Sequence, residues 1–153
     1  MRTSENGKQF ILDREESGRL KTTAYKNKGD IPTIAAGNTR YEDGSAVKLG
    51  DRISLERAKQ LFDNIILQFE KELLILVTHP LNQNQWDAMM SFIWNFGYQQ
   101  LKNSKTIAAL NAGNIPEFLV RHLTWTHSGN PAFKAGLLNR RNLEQKLFLT
   151  PCD

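Results

Sequence analysis

Polar groups that folding alone does not require gather in one stretch of the chain. It runs from Glu15 and Glu16 through Tyr25, Lys26 and Asn27 to Thr33 and Asn38. Carboxyls are the raw material of acid–base chemistry. A glutamic acid held against apolar walls keeps its proton toward neutral pH, because desolvation penalises the anion, and a general acid needs that protonated state. The plain alternatives are a solvated charge at a helix end for Glu15 and Glu16, and a β-prone strand residue for Thr33. The histidines His79, His122 and His127 are scattered and lack metal-ligand spacing. Cys152 is the lone cysteine, which excludes an intramolecular disulfide and a cysteine-rich metal site.

These residues need elements to hold them. The segment Gln9–Glu16 reads as a short helix with Phe10, Ile11 and Leu12 inward, stopped by Ser17-Gly18. Between Thr22 and Leu49, the β-prone pieces TTAY, IPTIAA and AVKL alternate with turn signals at Lys28-Gly29, Gly37-Asn38 and Asp43-Gly44. That pattern predicts a small, irregular antiparallel sheet of two or three strands. A carboxyl at the helix end facing such a turn would form a cleft between two lobes, a common setting for ligands. From Ser54, a helix N-cap, apolar residues recur in steps of three and four from Ala58 to Val77. A periodic run of about 25 residues is long for a globular helix, so a bend or break is expected near Leu74, before His79-Pro80 ends the run. Asn82 and Gln85 are spaced as a capping box, and Gly97 is a natural C-terminal stop. Between them Trp86, Met89, Met90, Trp94 and Phe96 read as core. Further helices are predicted over Ser104–Ala112, from Pro116, and over Leu137–Leu149 after the loop THSGNPAFKAG.

The 153 residues carry 20 Lys+Arg against 16 Asp+Glu, a formal charge of +4, and are 40% hydrophobic. Such a chain buries its own core without disulfide or metal and is too apolar for a disordered segment. Its first residues, MRTSENGKQ, lack the apolar run of a signal peptide, and no stretch approaches the length of a membrane span. The basic balance suits an anionic partner: nucleic acid, an anionic membrane surface or a cell-wall polymer. The basic residues form no stripe and no DNA-binding motif occurs, which weighs against nucleic acid.

The run RLKTTAYKNKGDIPTIAAGNT resembles the signature of the phage-type lysozymes (endolysins, glycoside hydrolase family 24). That signature is a Glu, then an apolar-Tyr pair, an Asp, a Gly and Thr-Ile-Gly-x-Gly-His-Thr. RYEDGSAVKLGDRISLERA, PLNQNQWDAMMSFIWNFG, Asn103-Ser104 followed by LNAG, and GLLNRRNLEQKLF are similar to later motifs of the family, in the same order, so that the likeness spans Phe10 to Phe148. The resemblance implies an α+β, lysozyme-like fold in a single domain over residues 1–153. An N-terminal helix and small antiparallel β lobe would occupy about 10–53, and a larger all-helical lobe 54–150, joined by a long helix. It also implies a monomeric muramidase that cleaves the β-1,4 bond between N-acetylmuramic acid and N-acetylglucosamine in bacterial peptidoglycan. No cofactor, metal, nucleic acid or membrane insertion is implied. Such an endolysin would be made in the host cytoplasm and released to the periplasm or cell wall through a holin-type pore.

Carried over residue by residue, the resemblance makes Glu16 the general acid, with Glu15 the alternative. Glu16-Ser17-Gly18-Arg19-Leu20-Lys21 fits the family run, but Thr22-Thr23 are then two extra residues before Ala24-Tyr25. A gapless alignment from Tyr25 would put Gly18 at the acid's place. Asn27 stands where the family has its Asp, six residues before Thr33. An amide can orient a water but cannot act as a base. Three explanations stay open: a slow enzyme, substitution by Asp30, or a disabled chain that binds glycan or serves as a phage structural component. Thr33 matches the Thr that helps hold the attacking water. Ala35 replaces a Gly and Asn38 a common His; Asn38 can hydrogen-bond sugar or cap its turn. Arg140 aligns with the cation that faces the acid, whereas Arg141 reads as a solvated or structural charge.

Overall fold

The computed structural model describes residues 1–15, 18–27 and 29–153. Helix α1 spans Glu5–Glu15, and strands β1 and β2 span Lys21–Lys26 and Pro32–Ala35. Helices α2 to α7 span Leu55–Leu76, Gln83–Phe96, Tyr98–Leu101, Lys105–Asn111, Ile115–His122 and Pro131–Phe148. The chain divides into two compact units: Gln9–Gln68, and Met1–Lys8 with Phe69–Asp153.

In the Gln9–Gln68 unit, β1 and β2 pair antiparallel, with Lys21 opposite Ala35, Tyr25 opposite Thr33 and Lys26 opposite Pro32. Four steps along β1 therefore face two along β2, so β1 carries two surplus residues as an irregularity between Lys21 and Tyr25. The surplus backbone groups bond elsewhere: Ile53 N donates to Thr22 O and Ala24 N to Asp51 O, each at 2.9 Å. Thr22 O and Ala24 N thus find partners outside the ladder. The piece AVKL forms no strand; Ala46 makes only an isolated bridge to Arg40. The core of this unit is Ile34, Ala35, Val47, Ala58 and Leu61, flanked by Leu20, Ala24, Tyr41 and Ile53. Ile11 and Leu12 of α1 are buried as expected. Phe10 is only half-buried, with the Arg14 guanidinium 3.6 Å above its ring.

The expected break near Leu74 is absent. Helix α2 runs unbroken through 22 residues, from the Ser54 cap, whose Oγ accepts from Arg57 N at 3.1 Å, to Leu76. Its apolar positions keep period throughout, and Gly and Pro are absent from it, so nothing in the sequence interrupts it.

In the second unit, local signals set the helix ends. Asn82 and Gln85 make the reciprocal capping box of α3, and Gly97 at φ 85 ends it. Ser104, Asn114 and Asn130 cap α5, α6 and α7 through their side chains. Asn130-Pro131 starts α7 six residues before the expected Leu137, because an Asn cap followed by Pro is itself a start signal. Helix α4 was not expected; its four residues are too few to show periodicity. Helix α1 also begins earlier than Gln9, at Glu5, where Ser4 Oγ accepts from Gly7 N at 2.9 Å. A Cβ at Gly7 would lie 2.4 Å from the Asp87 carboxyl carbon, so only glycine permits this approach of α1 to α3. Trp86, Met89 and Met90 are core as expected, together with Phe92 and Ile93. Trp94 and Phe96 are half-buried instead. Trp94 packs on Phe69 at 5.1 Å, and Phe96 on Trp125 at 5.1 Å. Among the described residues no helix is long and apolar enough to cross a membrane.

Candidate active site

Asn27, Thr33 and Asn38, singled out from the sequence, sit on the β1–β2 hairpin and the turn after it. The hairpin tip closes on itself: Asn27 N donates to Ile31 O at 3.1 Å, and Asp30 N to Asn27 O at 3.0 Å. The Asn27 side chain completes the turn. Its Oδ1 accepts from Gly29 N at 2.9 Å and from Ile31 N at 3.2 Å. Both neighbours are N–H donors, so the amide has one sensible orientation, and Nδ2 is left as the polar atom that the turn does not use. Among the described residues Nδ2 has no hydrogen-bond partner.

Thr33 is tied to the backbone of the same residue, Ile31. Its Oγ1 donates to Ile31 O at 2.9 Å, and the residue is only 1% exposed. The Ile31 backbone is therefore a hub that fixes both side chains. Asp30 is exposed in the tip and held at φ 57, a left-handed conformation unusual for a residue with a Cβ.

The next turn is built on Ile34 and Asn38, whose backbones exchange hydrogen bonds of 2.8 and 2.9 Å. Ala35 lies in it at φ 60 and is fully buried. Left-handed backbone costs a residue with a Cβ about 1–2 kcal/mol, which the buried methyl partly offsets. Asn38 uses both ends of its amide: Oδ1 accepts from Ala36 N, and Nδ2 donates to Leu61 O of α2, both at 3.2 Å. Its side chain is occupied in pinning the turn to the helix.

Glu16, the expected acid, lies outside the described residues, while Glu15 is exposed at the end of α1.

Arg140 belongs to the helical unit, where it is 7% exposed. Its NH2 donates to Ser91 O at 3.0 Å, its Nε to Ser91 Oγ at 3.3 Å, and Nε lies 3.5 Å from a Glu144 oxygen. Glu144 is the centre of a buried polar cluster that the sequence did not disclose. It pairs with Arg141 at 2.7 Å, accepts from Ser91 Oγ at 2.5 Å and contacts His122 Nε2 at 2.9 Å. Gln145 Nε2 donates to His122 Nδ1 at 3.0 Å and to Leu119 O at 2.7 Å, so His122 carries its proton on Nε2 and gives it to Glu144. Burial pushes the Glu144 carboxyl up, but His122, Arg141 and Ser91 outweigh it and hold the group below the ordinary carboxylate range. Arg141 is fully buried and also donates to Asn95 Oδ1 at 2.8 Å, so it is structural and not solvated. The available sequence signal was the spacing of Arg140 and Arg141 four and three residues before Glu144 on one helix.

Solved structures with the same fold define the class. A P22 lysozyme mutant superposes with a TM-score of 0.85 at 34% identity, covering 98% of this chain and 99% of that one. An endolysin from Escherichia coli O157:H7 phage FAHEc1 superposes equally well at 30% identity, covering 97% and 94%. The muramidase domain of SpmX from Asticaccaulis excentricus follows at 0.80 and 28%, covering 98% and 99%. The architecture is thus that of the lysozyme-like glycoside hydrolases, with a small antiparallel pair of strands in a mostly helical chain.

Within that class, the chain belongs to the phage lysozyme family, whose model matches residues 15–144. It is 38% identical over 151 residues to the endolysin of Salmonella phage P22, spanning 98% of this chain and 99% of that protein. It is also 32% identical over 134 residues to the SAR-endolysin of Pseudomonas phage phiKMV, spanning 86% and 80%. The resemblance drawn from the motifs holds across the chain, and the function it carries is that of a phage endolysin, a muramidase.

Proposed function

We propose that the chain cleaves the β-1,4 bond between N-acetylmuramic acid and N-acetylglucosamine of bacterial peptidoglycan, slowly, with Glu16 as the proton donor. The match of the family model over residues 15–144 carries this reading. Glycoside cleavage proceeds through an oxocarbenium-like transition state that needs a donor to the leaving oxygen. Asn27 and Thr33, held by the N–H and the carbonyl of Ile31, form the second half of the site. Asn38 serves it by holding the adjoining turn, and Arg140 stands at the position of the cation in the family's pattern. The protein works as a monomer, made in the host cytoplasm and released to the wall.

The reduced rate follows from the Asn27 amide, which cannot take a proton from water. Each tenfold loss corresponds to only about 1.4 kcal/mol of barrier. A glycan-binding descendant without activity is the second reading, favoured by the same amide. Clearing of permeabilised Gram-negative cells separates the two. Wild type should clear slowly and Glu16→Gln not at all; Asn27→Asp should clear about tenfold faster or more than wild type. Equal slow clearing by wild type and Glu16→Gln would sink the assignment of Glu16.

A further inference from the structure

Arg141 is a fully buried cation, and only part of its bonding goes to Glu144. The rest reaches the last turn of α3 and the chain after α6. Nη2 donates to Asn95 Oδ1 at 2.8 Å and Nη1 to Trp125 O at 3.4 Å, and the guanidinium stands 4.9 Å from the centre of the Phe96 ring. One buried charge thus anchors three half-buried residues, Asn95, Phe96 and Trp125. The two rings also pack on each other at 5.1 Å, and Trp125 Nε1 donates to Thr106 Oγ1 at 2.8 Å, so the indole has a fixed direction. A guanidinium only donates, so it holds the Asn95 amide with its oxygen toward Arg141. Turning the amide over would set donor against donor. Nδ2 is therefore the outward end, and among the described residues it has no hydrogen-bond partner.

We propose that Asn95 is a specificity-determining residue: its Nδ2 donates to an amide carbonyl oxygen of the substrate, while Phe96 and Trp125 receive the apolar group next to that carbonyl. This rests on the reading above that peptidoglycan is the substrate. Peptidoglycan carries such carbonyls in two places, the 2-acetamido groups of its sugars and the amides of its stem peptides. Both join an acceptor oxygen to a small apolar group, which matches a fixed donor anchored with two aromatic rings. Water also satisfies an exposed N–H, but it has no use for a donor whose direction is set by a buried charge. Arg141 acts here as a positioning residue, because it selects which end of the amide faces outward. The contact involves no proton transfer and serves ground state and transition state alike, so it lowers KM without raising kcat.

Binding titrations followed by tryptophan fluorescence test this without depending on turnover. Asn95→Asp keeps the shape and the bond to Arg141 but replaces the donor with an acceptor; Asn95→Leu removes the donor and adds no charge. Both should bind glycan fragments about tenfold more weakly than wild type, and Asn95→Asp should do so without a fall in its urea midpoint. Three probes find the source of the carbonyl: peptide-free oligomers, the same oligomers with their acetyl groups removed, and peptide-bearing fragments. If the acetamido group is the ligand, the deficit appears with the first probe and vanishes with the second. If a stem-peptide amide is the ligand, only the third probe shows it. Equal binding by wild type and both variants to every probe would overturn the proposal, as would a deficit in Asn95→Asp that Asn95→Leu lacks, which is charge repulsion. So would a wild type that binds none of the probes. Cleavage of sacculi is scored separately: binding deficits without any cleavage would sink the muramidase reading and leave the contact standing.

Discussion

At the scale of single residues, hydrogen-bond direction decides what each side chain can do. Asn27 and aspartate are almost the same shape, and the turn at 27–31 needs only one oxygen from either. The exchange therefore leaves the fold alone and inverts what the site offers, from acceptor to donor. Tyr41 shows the same logic away from the site. Its hydroxyl donates to Asp51 Oδ2 at 2.7 Å, and the same oxygen accepts from Lys48 N at 2.9 Å. Burial, then that hydrogen bond and the charge of Asp51, push the phenol up to about 12 from its ordinary 10.0. The protonated phenol thus contributes stability fully below pH 10.0, and that contribution disappears as pH rises through about 12. Asp51 is shifted the opposite way, below its ordinary 3.8, chiefly by the Tyr41 hydrogen bond; its contribution is present above 3.8 and is lost as pH falls through the lowered value. A titration followed by phenolate absorbance should show one tyrosine ionising last. Tyr41→Phe should remove that last step and flatten the alkaline fall in stability. A late step that persists in the variant would assign it to another tyrosine.

At the scale of elements, the helical unit is fastened by Glu144. One carboxylate on α7 accepts hydrogen bonds from Ser91 on α3 and His122 on α6 and pairs with Arg141 on its own helix. Removing it leaves buried cations and donors without their common acceptor. The expected cost of Glu144→Ala is about 3–5 kcal/mol, read from the urea midpoint at unchanged slope. A loss below about 1 kcal/mol would show that the cluster relaxes into solvent. Much of the element layout was legible in the chain because caps are local: Asn82 with Gln85, Ser104 and Gly97 each signal across four residues or fewer. The cluster was not legible, because Ser91 and Glu144 are 53 residues apart and no short window contains both. The strand expected at AVKL failed for a related reason. β-propensity describes a surface to be packed against, and Ala46 finds a partner only at Arg40.

At the scale of the whole molecule, the formal charge of +4 predicts how the protein meets its substrate. Bacterial envelopes are anionic, and long-range attraction raises encounter rates with them. Raising ionic strength from about 0.01 M to about 0.15 M shortens the screening length from about 30 Å to about 8 Å. Clearing of permeabilised cells should slow severalfold over that range. Cleavage of a short soluble glycan should barely change. Equal salt sensitivity of both would place the effect in the chemistry and not in the encounter. The family was legible from ordered motifs spread over the chain. The direction in which the Asn27 amide is locked was not, because the residue name alone does not say which end the turn consumes.

The two surplus residues in β1 also matter for how such a chain can change its length over time. A strand is usually the worst place for an insertion, since a slip of one residue turns every later side chain to the opposite face. Here the surplus is even, so Tyr25 still faces Thr33 and the hairpin tip keeps its frame. Residues 51–53 take up the slack. A two-residue insertion at this point therefore keeps the frame of the tip, whereas a one-residue slip would turn Tyr25 away from Thr33.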